Sequence, residues 1–252
     1  LLDYVQAGIK TYIAEVAFGK KTSTGDLEGE IIESADMSSL VRSDLESACE
    51  KFLGEINQIP PMTSAVKVDG KALYKYARQG VEVERKIRTV NIYSIEIREF
   101  IAGVNPSAKL EIVCSVGTYI RTLAEDIGEA AGGVAHLSNL RRTKSGTIKE
   151  SNLISLEELA EHQDPFALMC DPAQAMSHYK TITFDDSQVT EIYTGRKLIL
   201  RPDQIEDLKT CKDNIFIGLG ETPRKLIAVY DNPYTSAETM PLKSRCVIFL
   251  DL

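Results

Sequence analysis

The sequence predicts an α+β protein in two parts, residues 1–176 and a smaller β-rich domain over residues 177–252. In the first part, segments with the period of two that is typical of strands alternate with segments whose apolar residues recur at helical spacing. From about Ala175 the pattern changes to short β-like runs that follow one another closely, as in a small β-barrel domain. The length of 252 residues accommodates either one large domain or two smaller ones.

The first part contains four segments that are predicted as strands, at residues 12–18, 65–68, 89–100 and 110–114. Residues 43–53 follow the capping-box pair Ser43 and Glu46 with apolar residues at i, i+3, i+4, i+7 and i+8, which indicates an amphipathic helix. The polar, turn-rich segment 20–29 is predicted as a mobile loop.

The second part contains four short segments that resemble strands and one that resembles a helix. The helical segment includes Val189 and Ile192 and ends at Gly195. The predicted strands are residues 181–184, 215–219, 226–230 and 245–250.

The segment 114–133 joins the end of a strand, a glycine turn and a helix. Gly117 permits a sharp turn, and apolar residues then recur at helical spacing up to the glycines at 132 and 133. Tyr119 and Arg121 therefore lie where the strand gives way to the helix. Because a cation in the first turn of a helix opposes the helix dipole, at a cost of roughly 0.3–1 kcal/mol, we expect Arg121 to have an anionic partner. An ordinary surface arginine is the alternative.

The net charge of −8 argues against a nucleic-acid partner, but two segments are locally basic. Residues 62–88 carry seven basic residues against three acidic ones, with Tyr74 and Tyr76 among the cations, and residues 137–149 contain basic residues and no acid. Basic residues mixed with aromatic ones suit RNA, which is recognised by stacking as well as by charge. For residues 71–79 the alternative is an ordinary helix with solvated lysines on its outer face.

Motifs for several function classes are missing from the sequence. It contains no GxxxxGK[ST], GxGxxG or HExxH, and its three histidines lack the spacing of metal ligands. The five cysteines are scattered and odd in number, which indicates reduced thiols in an intracellular compartment. No apolar run approaches the ~18–20 residues of a membrane helix. We therefore predict no cofactor, no metal and no membrane contact, and the residues alone leave the reaction open.

Five segments, in this order and spacing, resemble the TruB-type tRNA pseudouridine-55 synthases. They are KTYIAEVAFG (10–19), TSTGDLEGEI (22–31), IPPMTSAVKVDGKALYKYARQG (59–80), CSVGTYIRTLAEDIGE (114–129) and AHLSNLRRTKSG (135–146). The combination is specific to the family, although no single segment is. The part of the chain from about residue 178 resembles the small PUA-type β domain of such enzymes.

The resemblance implies a mixed, mostly antiparallel sheet with flanking helices, and a uridine at position 55 in the T-loop of tRNA as the substrate. Such an enzyme flips the nucleotide out of the loop, cleaves the bond between ribose and N1 of uracil, rotates the ring and rejoins it through C5. We expect a monomer that binds the T-arm of tRNA in the cytoplasm or in an organelle matrix or stroma.

The resemblance also assigns roles to single residues. Tyr12 matches the position that stacks on the flipped base, Tyr119 matches the proton acceptor at C5, and Arg121 matches the arginine that pairs with the catalytic aspartate. The other matching positions are the pocket-wall residue Leu140 and the basic residues Lys67 and Arg142, which lie near the site and the RNA or serve the scaffold.

The chain departs from the family at the essential aspartate. That aspartate belongs to a GxLDPxATG-type motif upstream of the KxY strand, and no such motif follows Leu1. Asp3, Asp26 and Asp126 stand in other contexts and are not substitutes. We therefore expect the nucleophile to be encoded upstream of Leu1 and the present chain to be inactive by itself.

The sequence leaves two other function classes open. A catalytically inactive RNA-binding or RNA-folding factor, within a ribonucleoprotein, would keep the basic segments and need no aspartate. A small-molecule-binding α/β domain is the third class, and stabilisation by a metabolite rather than by tRNA would favour it.

Overall fold

The computed structural model describes residues 1–221, 225–235 and 244–248, which belong to two compact units. One unit is Gly8–Ser145, and the other joins Leu1–Ala7 to Gly146–Leu252. The domain boundary that the sequence suggests, after residue 176, stays a prediction.

The described strands are β1 (Lys10–Phe18), β2 (Lys20–Thr22), β3 (Ile31–Ser34), β4 (Gly54–Gln58), β5 (Lys67–Val68), β6 (Lys71–Ala72), β7 (Arg88–Ile101), β8 (Ser107–Cys114), β9 (Ala135–Ser145), β10 (Ile148–Lys149), β11 (Lys180–Phe184), β12 (Ile215–Gly220), β13 (Leu226–Asp231) and β14 (Ser244–Val247). The described α-helices are α1 (Leu2–Val5), α2 (Arg42–Glu50), α3 (Leu73–Ala77), α4 (Ile120–Ala130), α5 (Leu156–Glu161), α6 (Pro172–Ala175), α7 (Asp186–Tyr193) and α8 (Pro202–Lys209).

The first unit is built on an antiparallel sheet. Its strands lie in the order β9-β1-β8-β7-β4, and each neighbouring pair is antiparallel. This confirms the predicted α+β class with a mostly antiparallel sheet. Alternate residues of β1 and β8 point to one face and are buried there, as the alternation of the sequence predicts.

Helices α2 and α4 contribute to the core of the first unit. Leu45 of α2 and Leu123 and Ile127 of α4 have no exposed surface, and they belong to one cluster with Val16 and Leu110 of the sheet. Burying such a side chain stabilises the folded state by roughly 1.5–3 kcal/mol. The core therefore fixes α4, whose first residues carry the candidate site.

Two local predictions for this unit are wrong. Helix α2 begins at Arg42 after the extended residue Val41, so Ser43 lies inside the helix and does not cap it. Arg42 instead bonds Glu46 on its own helix and the carbonyl of Ile97. The segment 20–29 is not simply a loop, since β2 pairs with β3 to form a hairpin.

The second unit contains a four-stranded sheet in the order β11-β12-β13-β14, in which β11 and β12 are parallel and the other pairs antiparallel. The four predicted strands and the helix that ends at Gly195 are confirmed, whereas α8 was not predicted; residues 249 and 250 of the last strand lie outside the described residues. Phe184, Phe216 and Leu208 are fully buried in its core. The PUA-type assignment remains a prediction.

None of the helices in the described part of the chain has both the length and the apolar character needed to cross a membrane.

Candidate active site

Tyr119 and Arg121 lie at the junction between β8 and α4, as the sequence predicts. Strand β8 ends at Cys114, and Gly117 turns the chain with φ of +88°, a conformation that glycine adopts at little cost. Tyr119 is the extended residue just before α4, and Arg121 is the second residue of the helix. The buried apolar face of α4 holds this junction against the sheet.

The guanidinium of Arg121 is half-buried and forms an ion pair with a carboxylate of this chain. Its Nη1 lies 2.7 Å from Oδ2 of Asp26, and the two side chains are 27% and 25% exposed. Weaker hydrogen bonds of 3.4 Å run from Nη1 to the carbonyl oxygen of Thr24 and from Nη2 to that of Thr63. The anion expected beside Arg121 is thus present in this chain as Asp26, a residue that the sequence analysis considers only as a substitute for the catalytic aspartate and sets aside.

Asp26 is fixed by its own turn. Its Oδ1 accepts hydrogen bonds from Thr24 Oγ1 at 2.6 Å and from the Glu28 N–H at 3.2 Å. Burial acts to raise the pKa of Asp26, but these hydrogen bonds and the neighbouring Arg121 outweigh it, so its pKa lies below the ordinary value. Asp26 is therefore ionised at neutral pH and holds the guanidinium by charge as well as by geometry.

The turn that carries Asp26 docks on β9. The carbonyl of Gly25 accepts a hydrogen bond from the Leu137 N–H at 3.0 Å, and Asp26 forms a parallel bridge with Leu137. Gly25 has a φ of +74°, a backbone conformation in which a residue with a side chain would be strained. The sequence signal for Asp26 was its place in TSTGDLEGEI, between two glycines, but its partner 95 residues away follows only from the fold.

The backbone of Tyr119 is held by a residue that the sequence did not single out. Gln58, the last residue of β4, is 1% exposed. Its Nε2 donates to the carbonyl oxygen of Tyr119 at 3.2 Å, and its Oε1 accepts from the N–H of Tyr119 at 2.9 Å. No motif or spacing signals this contact, because Gln58 belongs to an edge strand far from Tyr119 in the sequence.

Tyr12, Leu140 and Arg142 share one face of the sheet. Tyr12 of β1 lies opposite Arg142 of β9, and Ala14 lies opposite Leu140, so directly paired and alternate residues place all three side chains on the same side. Burial raises the pKa of Tyr12, and a hydrogen bond to Arg142 partly offsets that rise. Leu140 is 41% exposed. Together the three side chains form a partly exposed surface that is aromatic, apolar and cationic.

Lys10 stands two residues before Tyr12 and was not singled out. It is only 5% exposed, and burial, followed by the nearby charge of Arg142, lowers its pKa.

Lys67 lies in the first unit, in a cavity whose lining does not include Tyr119 or Arg121. It is exposed on the β5–β6 hairpin, and the cavity has a volume of about 290 Å³. The other charged residues of that cavity are Asp69, Glu84, Arg85, Lys86 and Arg88. The arrangement is basic on balance and belongs to the segment for which the sequence indicated RNA contact.

Asp126 lies five residues after Arg121 on α4, and its pKa shifts in the direction opposite to that of Asp26. Burial, with the nearby charges of Glu125 and Glu129, raises its pKa to about 6, although Lys21 acts in the opposite direction. Folded protein therefore binds more protons than unfolded protein between about pH 4 and 6, and its stability falls as the pH rises through this window.

We accordingly expect Asp126→Asn to raise the free energy of unfolding at pH 8 by about 1–2 kcal/mol and to give no gain at pH 4. Urea unfolding at the two pH values measures the effect, and exposed Asp44→Asn on α2 is the control that should not stabilise at either. An equal gain at both pH values would contradict the argument.

No group of three or more His, Cys, Asp or Glu side chains within the described ranges is placed to hold a metal ion. His136 has its Nδ1 within 2.9 Å of the carbonyl oxygen of Lys20, which ties it to the β2–β3 hairpin.

Comparisons with known proteins agree on one family. The family model for the N-terminal domain of TruB family pseudouridylate synthases matches residues 1–120, and that for the C-terminal domain of tRNA pseudouridylate synthase B matches residues 121–168. The tRNA pseudouridine synthase B of Neisseria meningitidis serogroup B is 37% identical over 231 residues, which cover 89% of this chain and 73% of that protein. The chain belongs to the TruB family of pseudouridine synthases. The resemblance stated from the five segments is thereby confirmed.

Other TruB relatives are more similar over shorter stretches. The tRNA pseudouridine synthase B of Symbiobacterium thermophilum is 43% identical over 195 residues, which cover 77% of this chain and 64% of that protein. The tRNA pseudouridine synthase B of Listeria welshimeri is 49% identical over 164 residues, which cover 64% of this chain and 54% of that protein. The chain spans between about half and two thirds of the length of these two TruB relatives.

Solved structures share the TruB fold at low identity. A chain of a Cbf5-Nop10-Gar1 complex superposes with a TM-score of 0.66 at 22% identity, covering 98% of this chain and 68% of that one. A chain of an H/ACA RNP bound to a substrate RNA containing 2'-deoxyuridine gives a TM-score of 0.64 at 21% identity, with the same coverage. The fold of the chain is therefore that of Cbf5-type proteins.

Proposed function

We propose that this TruB-family protein isomerises the uridine at position 55 in the T-loop of tRNA to pseudouridine. The observation that carries the proposal is the half-buried Arg121–Asp26 pair beside Tyr119 at the start of α4. Relatives named tRNA pseudouridine synthase B support the same substrate.

The Arg121 guanidinium orients carboxylates at the site. Its hydrogen bonds to described residues use Nη1 and Nη2, so Nε–H remains to bind a second carboxylate. We assign that place to the nucleophilic aspartate expected upstream of Leu1. A planar guanidinium suits this role because its donors have a fixed geometry that matches carboxylates.

The other residues handle the extruded base. Tyr12 stacks on the flipped uracil and replaces the stacking lost when the nucleotide leaves the loop, while Leu140 forms the wall beside it. After the bond between ribose C1' and uracil N1 breaks and the ring turns, C1' bonds to C5. The phenol oxygen of Tyr119 then accepts the C5 proton as its own proton passes to water, and N1, freed from the ribose, takes up a proton from water, so that the product is an isomer of the substrate.

We further propose that the T-arm is the bound element of tRNA, that the protein acts as a monomer, and that it works in the cytoplasm or in an organelle matrix or stroma. The cysteines of the described residues are all free thiols, which supports a reducing compartment.

The test uses the complete gene product and a tRNA transcript labelled with tritium at C5 of uridine. We expect one tritium released per tRNA, and none from a transcript with cytidine at position 55. A coding sequence without a GxLDPxATG-type aspartate, or a complete protein that binds the T-arm without forming product, would instead favour an RNA-binding or RNA-folding factor.

Substitution of Arg142 tests which face of the protein binds the RNA. It is exposed on β9 beside Tyr12, so we expect Arg142→Ala to weaken tRNA binding and to lower the slope of log K against log salt by about 1. Filter binding across a salt titration measures this. Lys51→Ala, which removes one exposed cation at the end of α2, is the control that should leave the slope unchanged, and an unchanged slope for Arg142→Ala would place the RNA on another face.

A further inference from the structure

The buried amide of Gln58 bonds both backbone groups of one residue. Its Nε2 and Oε1 bond the carbonyl oxygen and the N–H of Tyr119 at 3.2 and 2.9 Å, across 61 residues of sequence. The side-chain amide thus satisfies both the N–H and the carbonyl oxygen of Tyr119, as a residue of a paired strand would. It does so where β8 has ended and α4 has not begun.

This contact fixes the peptide of Tyr119 on two sides. The N–H of a residue that precedes a helix has no partner within that helix, and here Gln58 supplies one. The carbonyl oxygen of Tyr119 also accepts the first helical hydrogen bond, from the Leu123 N–H at 3.0 Å. With the backbone held in this way, only the two side-chain torsions of Tyr119 remain to set the position of its phenol oxygen.

The segment that follows Gln58 also reaches Arg121. Pro60 and Pro61 restrict the backbone, and the carbonyl oxygen of Thr63 accepts a hydrogen bond from Nη2 of Arg121 at 3.4 Å. One stiff segment therefore contacts both residues. The side chain of Gln58 holds Tyr119, and the main-chain carbonyl of Thr63, five residues later, holds Arg121.

We infer that Gln58 is a positioning residue for the reaction, which sets where the phenol oxygen of Tyr119 meets C5 of the rotated uracil. The inference rests on the proposed function and adds a residue to it. An amide of this length is required, because a carboxylate would repel the carbonyl oxygen of Tyr119 and asparagine is one methylene too short to keep both bonds.

The test is a double-variant cycle in the complete protein. Single-turnover rates of pseudouridine formation are measured at saturating tRNA for the wild type, Gln58→Met, Tyr119→Phe and the double variant. We expect Gln58→Met to slow the wild type about tenfold, as a small displacement of a reacting group does, and to leave the slower Tyr119→Phe enzyme unchanged. A purely structural role would slow both backgrounds by the same factor.

If the Tyr119→Phe rate falls below detection, the kinetic isotope effect at C5 tests the inference instead. With deuterium at C5 of the uridine, Gln58→Met should show a larger rate ratio between light and heavy substrate than the wild type does, because proton removal has become slower.

Gln188→Met is the matched control. Gln188 is a glutamine that is 5% exposed in the second unit, with an amide that donates to the carbonyl oxygen of Ile199. Its replacement should lower the thermal stability and leave the isotope ratio unchanged. If Gln58→Met does not fold, Gln58→Glu, which keeps the length and the acceptor, takes its place in the same cycle.

The outcomes are distinct. An unchanged rate for Gln58→Met, an equal slowing in the Tyr119→Phe background, or an unchanged isotope ratio would overturn the inference. A wild-type protein that forms no pseudouridine would refute the proposed function, and the inference would fail with it.

Discussion

Replacing Tyr119 by phenylalanine should lower the single-turnover rate of pseudouridine formation by about 10²–10⁴-fold while tRNA binding stays within about twofold of the wild type. The aromatic ring of this partly buried residue is kept at the junction of β8 and α4, so the loss isolates the phenol oxygen. A group that accepts a proton only after the base has been cleaved and turned should affect the rate and not the affinity.

The control for this substitution is Tyr93→Phe on β7. Tyr93 is a tyrosine that is 51% exposed, and the loss of its hydroxyl should change neither rate nor affinity. Tritium release measures the reaction and filter binding measures the affinity. A Tyr119→Phe protein with the wild-type rate would show that another group takes the C5 proton.

Replacing Arg121 by lysine should lower the same rate by about 10²–10³-fold although the positive charge is kept. The guanidinium can bind Asp26 through Nη1 and a second carboxylate through Nε, whereas a single ammonium cannot hold two carboxylates in fixed positions. Asp26→Asn should act in the same direction with a smaller loss, because the guanidinium stays but loses its charged support.

Arg98→Lys provides the matched control. Arg98 also bridges two carboxylates, those of Glu96 and Glu111, but it is 46% exposed on the sheet, where ion pairs contribute little. Its replacement should leave the rate unchanged. Equal rates for the Arg121→Lys protein and the wild type would remove the Arg121 network from the mechanism.

The order and type of the elements could be predicted from the sequence where the pattern was long and regular. Strands β1 and β7 and helix α4 carry repeated alternation or helical spacing over many residues, and the structure confirms them. Strand β2 lies inside the segment 20–29 that the sequence predicts to be a loop, because its three residues are polar and too few to show alternation; its partner β3 begins just after that segment. Helix α2 begins at Arg42, before the predicted cap Ser43, and Arg42 also bonds the carbonyl oxygen of Ile97 on β7, a contact that no local pattern indicates.

The sequence by itself determined the family, through five segments in a fixed order, and placed Tyr119 and Arg121 at the turn from strand to helix. Only the tertiary structure decided which groups surround them. Asp26 and Gln58 reach this turn from 95 and 61 residues away in the chain, and a single sequence carries no signal for contacts of that kind. The physical reason is that buried charges and buried backbone groups need hydrogen-bond partners. Which residue becomes the partner depends on how the elements pack in three dimensions and not on spacing along the chain.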